Sequence, residues 1–352
     1  KYKLLYFVSE DQYFFTHKKD QAISALKNNF DVLVICKFTN LEKKIRSLGF
    51  KTKNLNFNRG SINPFAEVIR IVQFAFIILK FKPDIIQSIA LKPILYTSII
   101  SLFFRKTKFI LCIVGLGYLF IDKKKTTKII KSAYLFLISF FLLRKNTIFV
   151  FQNQEDKRQI ENFGLTKKTK YSIIRGSGVD TKKFVKKKIE KKYDLIFHSR
   201  ILNDKGFLEL VDAIKYIKKK KSLNVLVLGD PDEKNRSFIK IKKLKEWQDE
   251  KLFTWKKKQQ NVLPFLQISK LAVLPSYREG LPKTLLEAAS SELPIVASNV
   301  PGCKEICIHK YNGLLVPPKN SILLAKAIEK ILSNPSLAKK YGKNGRKLVL
   351  KS

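Results

Sequence analysis

Residues 270–306 read KLAVLPSYREGLPKTLLEAASSELPIVASNVPGCKEI, and this stretch decides the fold of the second half of the chain. It begins with the apolar run KLAVL, which is typical of a buried parallel strand. A loop containing Glu279 and Gly280 follows, and Pro282 is expected in the first turn of an amphipathic helix, where its missing N–H costs nothing. The second apolar run, LPIVAS, completes a strand–helix–strand unit, which is the repeating element of a parallel α/β sheet.

The same alternation extends in both directions along the chain. Apolar runs such as YKLLYFVS, DVLVIC and KFILCIVG alternate with amphipathic stretches, one of them from about Tyr13 to Asn29, and the pattern restarts at YDLIFHS. We therefore predict an α/β chain of two tandem Rossmann-like, doubly wound parallel-sheet domains. Their predicted bounds are 1–168 and 169–335, and residues 336–352 are expected to form a C-terminal helix that packs back toward the N-terminal domain.

Composition excludes several classes of protein. The chain has 352 residues, of which 45% are hydrophobic, and its 70 Lys+Arg against 28 Asp+Glu give a net charge of +42. Such a chain is too apolar to be a disordered tail. The basic residues are mainly lysines spread along the whole sequence, whereas a nucleic-acid reader concentrates arginine on one face. Nucleic acid is therefore not an expected partner, although the charge should attract other anions.

Four sparse cysteines indicate a reducing compartment. Cys36 and Cys112 lie in apolar runs, where a thiol behaves as a small hydrophobe. Cys303 and Cys307 lack a second His or Cys pair that would complete a tetrahedral zinc site. The N-terminal run KYKLLYFVS is strand-like, so we expect no secretory signal there.

Two apolar segments, 68–79 and 133–143, are shorter than the roughly 20 residues that a membrane-spanning helix needs. One interpretation is that both are buried helices that cover a face of the N-terminal sheet. The other is that they form a basic and aromatic surface that lies in the interface of an anionic membrane. The lysines that would assist such binding are Lys123, Lys124, Lys125, Lys128, Lys131 and Lys145.

The loop and helix of the opening stretch carry the strongest chemical signal. Glu279 lies on the loop and Glu287 about one and a half turns into the helix, so both carboxylates can face one crevice and accept hydrogen bonds from sugar hydroxyls. Gly280 allows close approach of a ligand, and the backbone amides at the helix start favour an anion. The alternative is that Glu287 is a solvated helix residue.

The segment E-G-L-P-K-T-L-L-E, with SELPIVASNVPGCKEI and YNGLLVPP after it, resembles the signature of retaining glycosyltransferases of the GT-B fold, family four. FVSEDQYFFTH, LKPILY, GLGYLF, FQNQEDKRQI and GSGVDTKKF also resemble segments of this family, in the expected order. The resemblance implies a cleft between an acceptor-binding N-terminal domain and a C-terminal domain that binds the nucleotide sugar.

The resemblance also implies roles for individual residues. Glu279 would hold hydroxyls of the donor sugar, Glu287 would hold the ribose hydroxyls, and Arg200 and Lys205 would contact the donor pyrophosphate as it leaves. His17 matches a position near the acceptor. The other residues that the resemblance places at the donor are Gly280, Leu281, Pro282, Lys283, Gly115 and Gly117.

Two departures from the family pattern matter. Gln87 and Ser88 stand where the subgroup usually has histidine, and Lys256 stands where a glycine is common beside the nucleobase. We expect no metal and no other cofactor, because Arg200, Lys205 and the helix amides can do the work of a divalent cation.

The expected function is transfer of a sugar from a nucleotide diphosphate, most simply UDP, to a polyprenyl-diphosphate-linked saccharide, with retention at the anomeric carbon. This would occur in the cytoplasm, on the inner face of the cytoplasmic membrane. The alternatives are another nucleotide-sugar enzyme of the GT-B fold, such as an epimerase, and a basic nucleic-acid-binding protein.

Overall fold

The structure is a computed structural model that describes residues 1–56, 63–116, 120, 125–141, 146–162, 170–233 and 235–351. Gly117, Lys123, Lys124 and Lys145 lie outside these ranges. The chain divides into two compact units, Lys1–Ser177 and Gly178–Ser352.

The first unit is built on a seven-stranded parallel sheet with the order β3-β2-β1-β4-β5-β6-β7. Its central strands are nearly continuous apolar runs because both faces of the sheet are covered. The strands are β1 (Lys3–Glu10), β2 (Asp31–Lys37), β3 (Lys51–Asn54), β4 (Ile85–Ile89), β5 (Lys108–Ile113), β6 (Thr147–Phe151) and β7 (Lys170–Ile173).

Alternate residues of β1 divide the core of this unit. Leu5 and Phe7 pack in one apolar cluster, whereas Tyr6 and Val8 pack in another, so the two clusters lie on opposite faces of the sheet. Helices α4 to α7 contribute to the first cluster and α1 to α3 to the second. The helices are α1 (Asp11–His17), α2 (Lys19–Lys27), α3 (Glu42–Arg46), α4 (Pro64–Phe81), α5 (Leu91–Ser101), α6 (Lys125–Phe141) and α7 (Gln154–Glu161).

The second unit has a six-stranded parallel sheet with the order β10-β9-β8-β11-β12-β13. Its strands are β8 (Tyr193–His198), β9 (Val225–Leu228), β10 (Thr254–Lys256), β11 (Ser269–Leu274), β12 (Ile295–Ser298) and β13 (Gly313–Val316). Its helices are α8 (Phe207–Lys218), α9 (Ile241–Asp249), α10 (Leu263–Gln267), α11 (Lys283–Ser290), α12 (Cys303–Ile306), α13 (Ser321–Leu332) and α14 (Pro335–Lys351).

Both sheets reverse their strand order once, between β1 and β4 in the first unit and between β8 and β11 in the second. In an open α/β sheet, ligands bind outside the carboxyl ends of the strands at such a reversal. The prediction of two tandem Rossmann-like units is therefore confirmed, and each unit has one edge at which a site is expected.

The observed boundary differs from the predicted one at 168/169. Strand β7 pairs with β6 and completes the first sheet, so the division falls after Ser177. The predicted C-terminal helix is α14, which packs on α11 within the second unit, with Gly342 against the backbone of Glu292. Its packing toward the N-terminal domain stays a prediction. The stretch predicted as one helix from Tyr13 to Asn29 is two helices, separated at Lys18.

Helices α4 and α6 have apolar side chains on their outer as well as their inner faces. Phe74 and Ile78 of α4 and Leu135 and Ile138 of α6 are buried, as the core interpretation predicted. An outer set of side chains is nevertheless exposed, and we call it the apolar stripe. It consists of Phe65, Val68, Ile69, Val72, Phe76 and Leu79 on α4 and Ile129, Phe136 and Phe140 on α6.

Among the described residues, no helix has the length and apolar character required to cross a membrane. All four cysteines are buried free thiols.

Candidate active site

The site begins where β8 ends. After His198 the chain passes Arg200 and makes a short 3₁₀ turn, Asn203–Lys205, which stops at Gly206 in the left-handed conformation (φ +69°). A Cβ at Gly206 would lie 2.0 Å from the carbonyl oxygen of Pro275. Only glycine therefore lets the loop after β8 pack directly on the loop after β11, and this contact brings Lys205 to Glu279.

Lys205 and Glu279 form the central ion pair of the second unit's edge. Lys205 Nζ lies 2.5 Å from Glu279 Oε1, and Ser276 Oγ donates a 2.7 Å hydrogen bond to the same oxygen. The two side chains are only 17% and 11% exposed. Because little solvent reaches these two side chains, their attraction is screened less than that of an exposed ion pair, and the short hydrogen bond fixes their relative position.

Two further backbone contacts fix the Glu279 loop. Tyr277 N–H donates to the carbonyl of Asp204 at 2.9 Å, which ties this loop to the turn that carries Lys205. On the other side Gly302 (φ +69°) packs so closely that a Cβ there would lie 2.4 Å from the carbonyl oxygen of Gly280. Glu279 and Gly280 are thus held between two neighbouring loops.

Helix α11 begins directly after this loop. Its N-cap is Pro282, one position earlier than the first-turn place that the sequence predicted, and Lys283 is the first helical residue. No side chain caps this helix start. The backbone N–H groups around Leu281 and Lys283 are therefore at the position where an anion is stabilised by a helix amino end.

Glu287 is buried, with only 8% of its surface exposed, so the alternative that it is a solvated helix residue is wrong. Its Oε2 lies 3.8 Å from Nδ1 of His198, at the end of β8. Burial raises the pKa of the Glu287 carboxyl to about 7, although Lys283 and Lys183 act in the opposite direction. The carboxyl accepts no hydrogen bond from the part of the chain that the structure describes.

Arg200 is placed differently from Lys205. Its Nη1 lies 2.8 Å from Asp232 Oδ2 in the segment after β9, and about half of its side chain is exposed. The structure therefore brings Lys205 and Glu279 together, whereas Arg200 lies at the same strand end but forms its ion pair with Asp232.

Sequence reasoning missed two further polar residues of this edge. Tyr277 OH donates a 2.6 Å hydrogen bond to Glu209 on α8, and Lys319 Nζ lies 4.8 Å from the centre of the Tyr277 ring. His198 was missed as well, although its place at a strand end, two residues before Arg200, is a signal that could have found it.

The predicted residues of the first unit lie at its own carboxyl edge. Gly115 follows β5 with φ +120°, a conformation that requires glycine, and Gly117 is outside the described residues. His17 Nδ1 lies 2.7 Å from Thr16 Oγ1, and its ring stacks on Tyr13 at 4.4 Å. The roles predicted for these residues at the donor and acceptor stay predictions.

The two residues of the first departure, Gln87 and Ser88 in β4, have internal partners. Gln87 Nε2 donates to Cys112 Sγ at 3.3 Å, and Ser88 Oγ lies 2.6 Å from Thr97 Oγ1. Both side chains belong to the packing of the sheet.

Asp11 is a buried carboxylate that the sequence did not reveal. It follows β1, and its carboxylate accepts hydrogen bonds from the backbone N–H groups of Thr39, Asn40 and Leu41 at 2.8–3.0 Å. Burial alone would raise the pKa of Asp11, but these hydrogen bonds and one from the Thr39 hydroxyl lower it overall. Asp11 therefore fixes the loop after β2.

Within the described ranges, no group of three His, Cys, Asp or Glu side chains is arranged to hold a metal ion. The independence of metal stays a prediction. Groups able to hold an anion at the second unit's edge include Lys205 and the amino end of α11.

Two family models match the chain in succession. The model described as "Glycosyl transferase 4-like" matches residues 3–153, and the model described as "Glycosyl transferases group 1" matches residues 179–348. Among curated relatives, an N,N'-diacetylbacillosaminyl-diphospho-undecaprenol alpha-1,3-N-acetylgalactosaminyltransferase of Campylobacter jejuni is 29% identical over 346 residues, which cover 93% of this chain and 89% of the relative.

Solved structures show the same fold. Sucrose-phosphate synthase of Thermosynechococcus elongatus superposes with a TM-score of 0.80 at 17% identity, over 100% of this chain and 94% of that one. HepE of Anabaena in complex with UDP gives a TM-score of 0.77 at 15% identity, over 99% and 95%. Together the two models match nearly the whole chain: its first unit is a glycosyl transferase 4-like domain and its second a glycosyl transferases group 1 domain, and the two Rossmann-like units have the GT-B fold.

Proposed function

We propose that the protein transfers a sugar from a UDP-sugar to a hydroxyl of a polyprenyl-diphosphate-linked saccharide, with retention at the anomeric carbon. One observation supports binding of the donor. Lys205 and Glu279 form an ion pair beside the amino end of α11, which no side chain caps, and Glu287 is buried on the same helix. Cation, helix amides and two carboxylates match the pyrophosphate and the hydroxyl groups of a nucleotide sugar.

In this proposal each group has a separate task. Lys205 and the α11 amino end stabilise the negative charge that develops on the departing diphosphate, which is the largest effect available to such a site. Arg200 adds a second cation after exchanging Asp232 for phosphate. Glu279 accepts hydrogen bonds from the donor sugar and Glu287 from the ribose. No divalent metal is needed for these steps.

The acceptor and the stereochemistry are supported by a relative. The name of the C. jejuni transferase specifies a diphospho-undecaprenol-linked substrate and an alpha linkage. An alpha linkage formed from an alpha-linked donor is retention. We extend both properties to this chain.

The test is a screen of UDP-sugars against polyprenyl-diphosphate-linked saccharides, with the lipid product detected by mass spectrometry and its anomeric configuration determined by NMR. We expect one UDP-sugar to extend the lipid with an alpha linkage, and we expect activity to persist in EDTA. A beta linkage would overturn retention. Release of a free sugar without an acceptor lipid would indicate the epimerase type instead.

The proposal also includes binding to the inner face of the cytoplasmic membrane through the apolar stripe. Phe65, Phe76 and Phe136 are 83%, 66% and 66% exposed, and the exposed Lys128 lies on the same helix as Phe136. On α6, Lys128, Ile129, Ala133 and Phe136 line a shallow apolar groove of about 470 Å³. Exposed apolar groups with lysines beside them match the interface of an anionic bilayer.

Vesicle sedimentation tests this part separately. We expect the protein to sediment with anionic vesicles at low salt and to be released at high salt, because lysine–lipid attraction is screened. The double variant Phe76→Ser/Phe136→Ser should lose most of the binding. Ile322→Ser, which removes a similarly exposed apolar side chain from α13 of the second unit, is the matched control and should not change it. Equal binding by both variants would exclude the apolar stripe.

A further inference from the structure

His198, which is partly buried, and Glu287, which is buried, face each other without a hydrogen bond. His198 ends β8 and Glu287 lies on α11, and their nearest atoms, Nδ1 and Oε2, are 3.8 Å apart. His198 Nδ1 is buried and has no hydrogen-bond partner among the described residues. Buried polar atoms in native proteins are nearly always paired, so an unpaired one at a functional edge calls for an explanation.

The cavity beside His198 offers little room for a water molecule that could pair with Nδ1. A cavity of about 10 Å³ lies beside it, which is enough for one water at most. Thr284, the second residue of α11, contributes the other polar group of its lining, and Thr284 Oγ1 is likewise buried and unpaired within the described part of the chain. The remaining lining is apolar and consists of Ile196, Leu266, Ala272, Val273, Leu274 and Leu285.

We propose that His198 is a positioning residue for nucleotide recognition: when the donor nucleotide binds, His198 Nδ1–H donates to Oε2 of Glu287 and leaves Oε1 aimed at the ribose hydroxyls. This inference rests on the proposed function, because it assumes that Glu287 receives the ribose. It adds a residue to the site that acts through Glu287 and does not itself touch the nucleotide.

The geometry is close to what this role requires. A separation of 3.8 Å is too long for a hydrogen bond, but a shift of about 1 Å brings the two atoms within range. A neutral imidazole has one N–H donor, and the tautomer is set by the acceptor that it meets. The ionised carboxylate is the better acceptor, so His198 would favour the charged form of Glu287 when hydroxyl groups also bind it.

The charge states agree with this arrangement. Burial, with Lys258 beside it, lowers the pKa of His198 to about 4, so the ring is a neutral donor at pH 7. Burial raises the pKa of Glu287 to about 7, against the opposing effect of Lys283 on α11 and Lys183 in the segment before β8. Nucleotide binding should therefore require the ionised form of Glu287, and a hydrogen-bond donor at His198 should lower the free-energy cost of that ionisation.

Calorimetric titration with UDP between pH 5.5 and 9 tests the role. For the wild type we expect affinity to rise with pH through about 7. His198→Phe keeps a ring but removes the N–H, and it should weaken UDP binding by about tenfold at pH 7 and move the rise to higher pH. His198→Asn places an amide N–H near the position of Nδ1 and should restore part of both properties. His309→Phe is the control, since His309 Nδ1 already accepts from the N–H of Leu315 at 3.0 Å.

A double-mutant cycle with Glu287→Gln separates positioning from packing. If His198 acts through Glu287, His198→Phe should change UDP affinity by less than about twofold in the Glu287→Gln background. Additive effects of the two substitutions on UDP affinity, or a pH midpoint of binding that does not move in His198→Phe and His198→Asn, would overturn this role. The proposed function would still stand in that case, provided that the wild type binds UDP. Failure of the wild type to bind UDP at any pH would overturn both.

Discussion

Asp11 and Glu287 are both buried carboxyl groups at the carboxyl edge of a parallel sheet, yet their surroundings are opposite. Asp11 accepts hydrogen bonds from four backbone N–H groups and a hydroxyl, and its pKa is lowered. Glu287 accepts no hydrogen bond from the described residues, and its pKa is raised to about 7. Apart from the extra edge strand β7, the two sheets have the same strand order, so topology does not cause the difference.

The contrast separates a carboxylate used for structure from one kept for a ligand. The oxygens of Asp11 accept hydrogen bonds from the loop after β2, so they are not available to a substrate. Glu287 has the desolvation cost of burial without the compensating hydrogen bonds, a combination that stability alone does not favour. Perturbed, unsatisfied groups of this kind cluster at functional sites.

The largest expected effect tests whether the charges of the second unit's edge serve a ligand. Lys205→Ala should lower turnover by about 10- to 1000-fold, because a preorganised cation is lost from the departing diphosphate. Far-UV circular dichroism should show an intact fold. The control is Lys215→Ala on α8, which removes an exposed lysine 3.3 Å from Glu250. Similar turnover of both variants would contradict the assignment.

The second prediction concerns the structural carboxylate. Asp11→Ala leaves the N–H groups of Thr39, Asn40 and Leu41 without their acceptor and should destabilise the first unit by about 2–4 kcal/mol. Both tryptophans, Trp247 and Trp255, lie in the second unit, so denaturation followed by circular dichroism should shift more than denaturation followed by tryptophan fluorescence.

Asp20→Ala is the control for Asp11, since its side chain is 89% exposed and makes one surface ion pair. UDP affinity should not change in either variant. If Asp11→Ala lost UDP binding while its denaturation transition did not shift, Asp11 would be a ligand-binding group and not a structural one.

The third prediction uses pH. A carboxyl whose pKa is raised in the folded state destabilises the protein as pH rises from its ordinary range of about 4.5 to about 7, after which the effect is constant. Glu287→Gln cannot ionise, so relative to the wild type it should gain about 2–3 kcal/mol of stability between pH 5 and pH 8. Fluorescence-detected denaturation at both values measures this. An equal difference at pH 5 and pH 8 would mean that Glu287 is not desolvated as described.

The smallest effect is expected at a partly exposed carboxylate. Asp232 pairs with Arg200 at 2.8 Å, but solvent reaches about half of the Arg200 side chain and a third of the Asp232 side chain, so Asp232→Asn should change stability by less than about 1 kcal/mol. Equilibrium denaturation checks this. A larger loss would show that pairing, and not burial, determines what a carboxylate contributes here.

Local patterns made much of this architecture predictable. Alternating apolar runs predicted both doubly wound sheets, because strands covered on two faces must be apolar throughout. The seven residues between Glu279 and Glu287 placed one on a loop and the other on the following helix, as the structure has them. Lys205, which the family resemblance placed at the donor pyrophosphate, lies after the end of β8.

What the sequence did not predict depends on distant contacts. The pairing of Lys205 with Glu279 joins positions 74 apart, and the N–H groups that donate to Asp11 from the loop after β2 lie 28 to 30 positions away. The break at Lys18 and the four-residue strand β7 are too short to give a periodic signal. The spacing suggested that Glu287 faces the same crevice as Glu279. Only the burial seen in the structure distinguished a ligand-binding group from a solvated side chain.

Strand β7 also determines where the chain can be divided into separately produced parts. A fragment that ends at residue 168 would leave β6, with the sequence TIFVF, as an unpaired edge of high β-propensity and no charge. Such an edge pairs with its counterpart on another molecule, and the fragment should aggregate on expression. A fragment that ends at Ser177 retains β7, a strand of only four residues that begins with a lysine and covers β6. Nine additional residues would then decide between a precipitate and a protein that can be crystallised.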